Sequence, residues 1–219
     1  IKILKVNPNI SAHGGVNANG WWKLGISADR TAEPILNSDG TDSSVLLTVL
    51  TEGGYGGSYT GVGIPDVPND VVDTGALISG TDSYLITLKF PTAGQVGKIY
   101  TTHFREGTDY TTPVRVNGVN KNYTSGSDPA PELVFDFIAD ASGDVQVLIN
   151  PDQTNPSLWS SMRIEFDPGD TGLDFTQRKG STWDVSHSLG TITSATLGGN
   201  AITINSTGAG TVNLTDTSG

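Results

Sequence analysis

The sequence lacks several residue types and patterns, and each absence narrows what the protein can do. None of its 219 residues is a cysteine, which excludes disulfides, thiolate metal ligands and cysteine nucleophiles. Its 12 lysine and arginine residues are outnumbered by 23 aspartate and glutamate residues, so the net charge is −11. Nucleic acids and anionic membranes both require a basic face, so neither is an expected partner. No apolar run is long enough to span a bilayer as a helix, and membrane insertion is not expected.

Catalytic motifs are missing as well. The three histidines, His13, His103 and His187, are far apart in sequence, and no HExxH, GxSxG or P-loop pattern is present. A glycosidase needs two carboxyl groups facing each other across a cleft, but no spacing among the acidic residues selects such a pair. We therefore expect a protein that is not an enzyme.

What the sequence does contain is a series of segments in which apolar and polar residues alternate. Such a period of two indicates strands with one buried face and one solvated face, as in an antiparallel stack of two sheets. The apolar positions of the four clearest segments are Tyr84, Ile86, Leu88 and Phe90; Leu133, Phe135 and Phe137; Val145, Val147 and Ile149; and Met162, Ile164 and Phe166.

Turn signals separate these segments. The chain has 28 glycines and 11 prolines, which suits short strands joined by many turns. Asn117-Gly118 predicts a type I′ hairpin turn, because both central residues of that turn need a positive φ. The DASG sequence at 140–143 predicts a second turn, between strands at 132–138 and 144–149. Further strands are predicted at 1–6, 45–51, 84–90, 98–105, 113–116 and 160–166, with long loops at 7–44 and 52–83.

The alternation stops at Asp167, and DPGDTG at 167–172 is a credible linker. We therefore predict two domains: a β-sandwich at 1–168 and a small β-module at 173–219. The second has short threonine-rich strands and a tight hairpin at Gly198-Gly199-Asn200. It either packs on the main body or is the first half of an immunoglobulin-like domain that continues past Gly219. We read the chain as a piece of a longer protein.

The order of features from Ile1 to Phe166 resembles a galactose-binding-like β-jelly-roll, of the carbohydrate-binding-module type appended to secreted bacterial hydrolases. The resemblance rests on short motifs: a Gly-Trp loop (GWW, 20–22), NSDG (37–40) before LLTVL, the glycine-rich GGYGGSYTG, Phe104-Arg105, a VNG hairpin (116–118) and a final MRIEF strand. It implies an all-β antiparallel sandwich (jelly roll) and a non-catalytic module that binds carbohydrate or adheres to a surface. The tail is similar to small β-modules of phage tail and fibre proteins.

The expected contact surface consists of loop aromatics and one arginine, since sugars stack their apolar faces on exposed rings with polar groups around them. The predicted ligand-binding residues are Trp22, Tyr55, Tyr59, Arg105 and Trp159. Trp21 and Trp22 are adjacent and should point in opposite directions on an extended segment, so at most one can be a core residue. For the aromatic residues, packing without a ligand is the competing interpretation. For Arg105 it is a solvated outer strand face, with the side chain near Glu106.

Oxygen-rich loops suggest one structural calcium ion, although no EF-hand spacing is present. The candidate ligands are Asp39, Asp42 and Asp70. Ordinary turn chemistry is the competing interpretation for these aspartates.

Two functions from different classes remain open, and a third is less well supported. The first is a carbohydrate-binding or adhesion module of a larger secreted or virion-surface protein, with a polysaccharide or cell-surface glycan as partner. The second is a structural or oligomerisation module of a phage tail, fibre or capsid appendage, in which the aromatics pack against neighbouring subunits or domains. The third, a small hydrolase, would need two acidic residues or a Ser/His pair converging in one cleft.

Overall fold

The computed structural model describes residues 1–9, 13–51, 55–58, 67, 71, 74–78, 82–103, 111–124, 132–152 and 156–168, together with the strands of the tail. Every element that it bounds within these residues is a β-strand. Among the same residues, none belongs to a helix with the length and apolar character needed to cross a bilayer.

Two sheets form the main body. In spatial order, the five-stranded sheet contains β11 (Leu133–Ile138), β8 (Val96–Thr102), β14 (Ser161–Phe166), β1 (Lys2–Asn9) and β2 (Trp22–Gly25). The six-stranded sheet contains β10 (Val119–Thr124), β9 (Thr111–Val116), β12 (Asp144–Ile149), β7 (Tyr84–Lys89), β4 (Asp42–Thr51) and β3 (Arg30–Leu36). Strand pairs are antiparallel except for β1 and β2, which run parallel.

Smaller sheets account for the remaining strands. One contains β13 (Ser157–Trp159), β6 (Thr74–Ile78) and β5 (Tyr55–Ser58). In the tail, β15 (Leu173–Gln177), β16 (Thr182–His187) and β21 (Gly210–Thr215) form a three-stranded sheet. Two further pairs are β17 (Thr191–Ile192) with β20 (Ser206–Thr207), and β18 (Ala195–Leu197) with β19 (Asn200–Ile202). The predicted hairpin at Gly198-Gly199-Asn200 thus lies between two paired strands, although its two glycines are outside the described residues. The domain boundary at 168–173 stays a prediction.

One hydrophobic core lies between the two large sheets, as the alternation predicts. All the apolar positions of the four alternating segments are buried except Leu133, which is partly buried and packs against the core. Phe90, which follows β7, stacks on Phe137 of β11 at 5.0 Å between ring centroids and meets Phe166 of β14 edge-on at 5.2 Å. The facing sheets therefore interlock through aromatic contacts, and the predicted all-β sandwich is confirmed.

Both predicted turns are confirmed. Asn117 and Gly118 have φ values of 44° and 86°, as a type I′ turn requires, and they join β9 to β10. In the other turn, Asp140 accepts hydrogen bonds from the backbone N–H groups of Ser142 and Asp144. These bonds favour the ionised carboxylate, and that from Asp144 has the largest effect in lowering the pKa of Asp140.

Candidate functional site

Two of the five predicted contact residues are core residues. Trp22 is 2% exposed, and Trp159 is fully buried with its ring 5.9 Å from that of Tyr84. Trp22 lies opposite Val6 of the core strand β1, and every residue of β13, including Trp159, is buried. The prediction that these two rings form an exposed contact surface is therefore wrong, because both sit on strands whose inner faces build the core.

The other predicted contact residues cannot be judged in the same way. The backbone of Tyr55 begins β5, but its side chain is outside the part of the chain that is described. Tyr59 and Arg105 lie outside the described residues altogether. A ligand-binding role for these three residues stays a prediction.

The predicted calcium ligands Asp39 and Asp42 are exposed and serve the turn between β3 and β4. One oxygen of Asp39 accepts bonds from the backbone N–H and hydroxyl of Thr41, and the hydroxyl bond contributes most to lowering the pKa of Asp39. Asp42 accepts a bond from the backbone N–H of Ser44 at 2.7 Å. Asp70 is outside the described residues, and within those that are described no three acidic or histidine side chains group as metal ligands. The calcium site stays a prediction.

His103 is fully buried rather than displayed on a strand face. Its Nδ1 contacts the carbonyl oxygen of Leu158, which can only accept, so Nδ1 carries the proton and Nε2 accepts from the Thr101 hydroxyl at 2.9 Å. Burial lowers the pKa of His103 to about 4, since the Leu158 bond only partly offsets the loss of solvation. A neutral imidazole held in this way is part of the folded scaffold.

A different group of polar side chains lies on the outer face of the five-stranded sheet, the side that points away from the six-stranded sheet. Because Ile99, Phe135 and Ile164 point into the core, the residues that alternate with them point outward. Strand register brings the outward residues into rows. Tyr100 of β8 lies between Val134 of β11 and Arg163 of β14, and Lys5 of β1 follows Arg163. The next row contains Asp136, Lys98, Glu165 and Ile3.

Arg163 is the centre of this face. Its guanidinium carbon lies 3.8 Å from the centroid of the Tyr100 ring, a cation–π contact. One terminal nitrogen donates to Glu132 at 2.6 Å, and the other donates to Glu165. Glu165 also accepts a bond from the Tyr100 hydroxyl at 2.9 Å. We call these four residues, Tyr100, Glu132, Arg163 and Glu165, the Arg163 network.

The electrostatics of the network follow from burial and these bonds. Loss of solvation alone would lower the pKa of Arg163, but the bond to Glu132 and the charges of both glutamates outweigh it and raise that pKa. Burial, reinforced by the bond to Glu165, raises the pKa of Tyr100. Beside the network, the bond between Lys98 and Asp136 raises the pKa of Lys98. Arg163 and Lys98 are therefore charged at neutral pH, and Tyr100 is neutral.

The outer face changes from open to covered along the strands. The Lys98 side chain is 49% exposed, whereas those of Arg163 and Glu132 are 15% and 10% exposed. Further along, Trp21 is buried against Val67, Val71 and Tyr123, a group we call the Trp21 cluster. The two adjacent tryptophans do point in opposite directions, but the prediction that at most one is buried is wrong, because this second cluster covers Trp21. The result is an open sheet surface bounded at one end by an apolar wall.

Three buried polar atoms on this face find no hydrogen-bond partner among the described residues: Glu132 Oε1, Arg163 Nε and Trp21 Nε1. Buried polar atoms in folded proteins are nearly always paired, and each exception calls for an explanation. The carboxylate oxygen can only accept a hydrogen bond and the guanidinium N–H can only donate one, and the surrounding side chains shield both atoms from solvent.

The signal for this site was present in the sequence. In MRIEF and KIYT the polar residues between the buried positions are Arg163, Glu165, Lys98 and Tyr100. The apolar positions identify these strands as part of the core. They give no information about the polar residues on the outward faces of the same strands.

Comparisons with known proteins add little beyond the fold. No known family matches the sequence, and no curated protein matches it. Among solved structures, the chain is similar to the YxiM protein of Bacillus subtilis, with 13% identity over 76% of this chain and 40% of that one, and a TM-score of 0.44. The ANXUR2 extracellular domain of Arabidopsis thaliana gives 11% identity over 91% of this chain and 54% of that one, with a TM-score of 0.45.

An exo-β-1,3-galactanase from Phanerochaete chrysosporium gives 13% identity over 60% of this chain and 32% of that one, with a TM-score of 0.34. The chain therefore spans only about a third to a half of the length of the solved structures named here.

Proposed function

We propose that this protein is a non-catalytic carbohydrate-binding or adhesion module of a larger secreted or virion-surface protein. It holds a polysaccharide or cell-surface glycan against the outer face of its five-stranded sheet. The observation that carries the proposal is the Arg163 network, a fixed group of one aromatic ring, one guanidinium and two carboxylates on a partly open surface.

The chemistry of the network suits a sugar. Sugars combine apolar C–H faces with many hydroxyl groups, and they are bound by aromatic rings surrounded by planar, charged hydrogen-bonding groups. The Tyr100 ring supplies the first feature, and Arg163 and Glu165 supply the second. Because each group is held by its neighbours, little side-chain freedom is lost on binding.

The same geometry favours binding without catalysis. A glycosidase needs one carboxyl group that is protonated and acts as an acid, beside a second that is ionised. Here both glutamates accept hydrogen bonds from one guanidinium that lies between them, so the two carboxyl groups do not face each other across an open cleft.

Affinity electrophoresis in gels containing soluble polysaccharides tests the proposal. Tyr100→Ala should weaken the retention of the wild type on its ligand about tenfold, equivalent to about 1.4 kcal/mol. Lys89→Ala is the matched control, since Lys89 is an exposed residue of the six-stranded sheet paired with Asp144. Retention of the control should equal that of the wild type.

Equal retention of the two variants would place the binding surface elsewhere. If no polysaccharide in a broad panel retarded the folded wild type, the binding function would fail. The structural or oligomerisation function would then be the better account.

A further inference from the structure

We infer that the outer face selects an uncharged, hydroxyl-rich glycan over an anionic one, with Glu132 as the residue that determines this specificity. The inference rests on the proposed function and adds the chemical class of the ligand. It follows from three features: the two cations at the centre of the face, Arg163 and Lys98, are already paired, one buried acceptor is unpaired, and the chain is acidic.

The groups that would attract an anion are engaged. Arginine recognises carboxylates and sulfates by donating from both terminal nitrogens, and in Arg163 one of these donates to Glu132 and the other to Glu165. Lys98 is paired with Asp136. An acidic sugar would have to displace a carboxylate that is nine-tenths buried at Glu132, and its own charge would then lie beside that carboxylate.

The unpaired atoms favour a hydroxyl group instead. Glu132 Oε1 can only accept a hydrogen bond and Arg163 Nε can only donate one. A sugar hydroxyl does both, so it can pair with either atom once the side chains that shield them from solvent give way. A carboxylate or sulfate oxygen only accepts, and it would leave Glu132 Oε1 unpaired while adding a repulsive charge.

Two further lysines lie on this side of the sheet, toward the apolar wall. Lys5 places its ammonium 5.7 Å from the centroid of the Trp21 ring, and Lys23 lies opposite Asn7 on the neighbouring strand. They make this end of the face the place where an anion could still bind. Against them stand Glu132, Asp136 and Glu165 on the same face and a net charge of −11 for the chain, which repels polyanions at low ionic strength.

The experiment compares two sets of polysaccharides in native affinity gels at low ionic strength. The neutral set contains glucan, galactan, mannan and xylan, and the acidic set contains polygalacturonate, alginate and a sulfated galactan. The wild type should be retarded by at least one neutral polysaccharide and by none of the acidic ones. Retardation by acidic polymers alone would overturn the inference but leave the proposed function standing. The variant Lys5→Gln would then test whether the acidic polymer binds beside Lys5. Retardation by neither set would overturn both.

Glu132→Gln gives the second measurement. Glutamine keeps an acceptor for Arg163 but removes the charge, so acidic polymers should now be retained at least about tenfold more strongly than by the wild type. Glu33→Gln, which removes one charge from the six-stranded sheet, is the matched control and should leave acidic polymers excluded. If the wild type binds neutral glycans but acidic polymers retain Glu132→Gln no more strongly than Glu33→Gln, Glu132 does not determine the specificity.

Discussion

Replacing Arg163 by methionine tests whether the Arg163 network is held together as a buried ion pair. Methionine has a similar length and fills a similar volume, but it leaves Glu132 without its partner in a position where that side chain is 10% exposed. Glu165 is affected less, because it is more exposed and still accepts the Tyr100 hydroxyl bond.

The magnitude follows from this burial. Removing one partner of a buried ion pair costs about 3–5 kcal/mol, while an exposed pair contributes about 0–1 kcal/mol. With both side chains largely but not fully buried, we expect Arg163→Met to reduce the free energy of unfolding by about 2–4 kcal/mol. The double variant Arg163→Met/Glu132→Leu removes both charges and should be clearly more stable than the single variant.

The measurement is a double-mutant cycle by urea unfolding at pH 7. It compares the wild type, Arg163→Met, Glu132→Leu and the double variant. Lys89→Met, which breaks the exposed pair with Asp144, is the control and should change stability by no more than about 0.5 kcal/mol. The reasoning is refuted if Arg163→Met costs less than about 1 kcal/mol, or if the two single changes simply add up to the double one.

Two further predictions concern the scaffold. Because burial lowers the pKa of His103 from 6.5 to about 4, this contribution to stability should be complete above about pH 6.5. It should fall by roughly 3 kcal/mol as the pH drops from about 6.5 to about 4. His103→Gln should lack this part of the slope in urea unfolding between pH 7.5 and 4.5, and parallel curves for the two proteins would contradict the assignment. Gly143→Ala should cost about 1–3 kcal/mol more than Gly118→Ala in thermal or urea unfolding. Both glycines have positive φ, but a Cβ at 143 would lie 2.4 Å from the Phe90 carbonyl oxygen, whereas a Cβ at 118 would meet nothing within 4 Å. Equal losses of stability would show that the turn at 143 moves to accommodate the added methyl group.

The sequence predicts the regular strands well because their apolar residues follow a period of two and their turns have distinctive chemistry. It predicts poorly where strands are short or irregular. β2 lies in the segment 7–44, which the sequence predicts to be a loop. It is held by parallel pairing with β1, and the sequence of β2 itself contains no pattern that indicates this pairing. β3 contains a proline and two register shifts against β4, so its alternation is interrupted.

Aromatic rings next to glycines or in turns suggest exposure, and this is the basis on which the sequence predicts the aromatic contact residues. For Trp22 and Trp159 that prediction is wrong, since tertiary packing decides which side of a strand is covered, and a single sequence does not show where the second sheet lies. Arg163 and Glu132 come from segments 31 residues apart, so their pairing depends on strand order and register. The one signal in the sequence is the row of polar residues that alternate with the buried residues of β8 and β14.

The pairing of β1 with β14 also determines how the sandwich responds to a pulling force. Lys2 lies opposite Phe166, so the backbone enters β1 and leaves β14 at the same end of the sheet. Tension applied through the connections to these two residues would break the backbone hydrogen bonds between β1 and β14 one residue pair at a time. It would not load all of these hydrogen bonds in shear at once. A sandwich pulled through these two connections would therefore open at low force from the Lys2–Phe166 pair. A load applied between the outer face of the five-stranded sheet and only one of the two connections would meet the full set of hydrogen bonds.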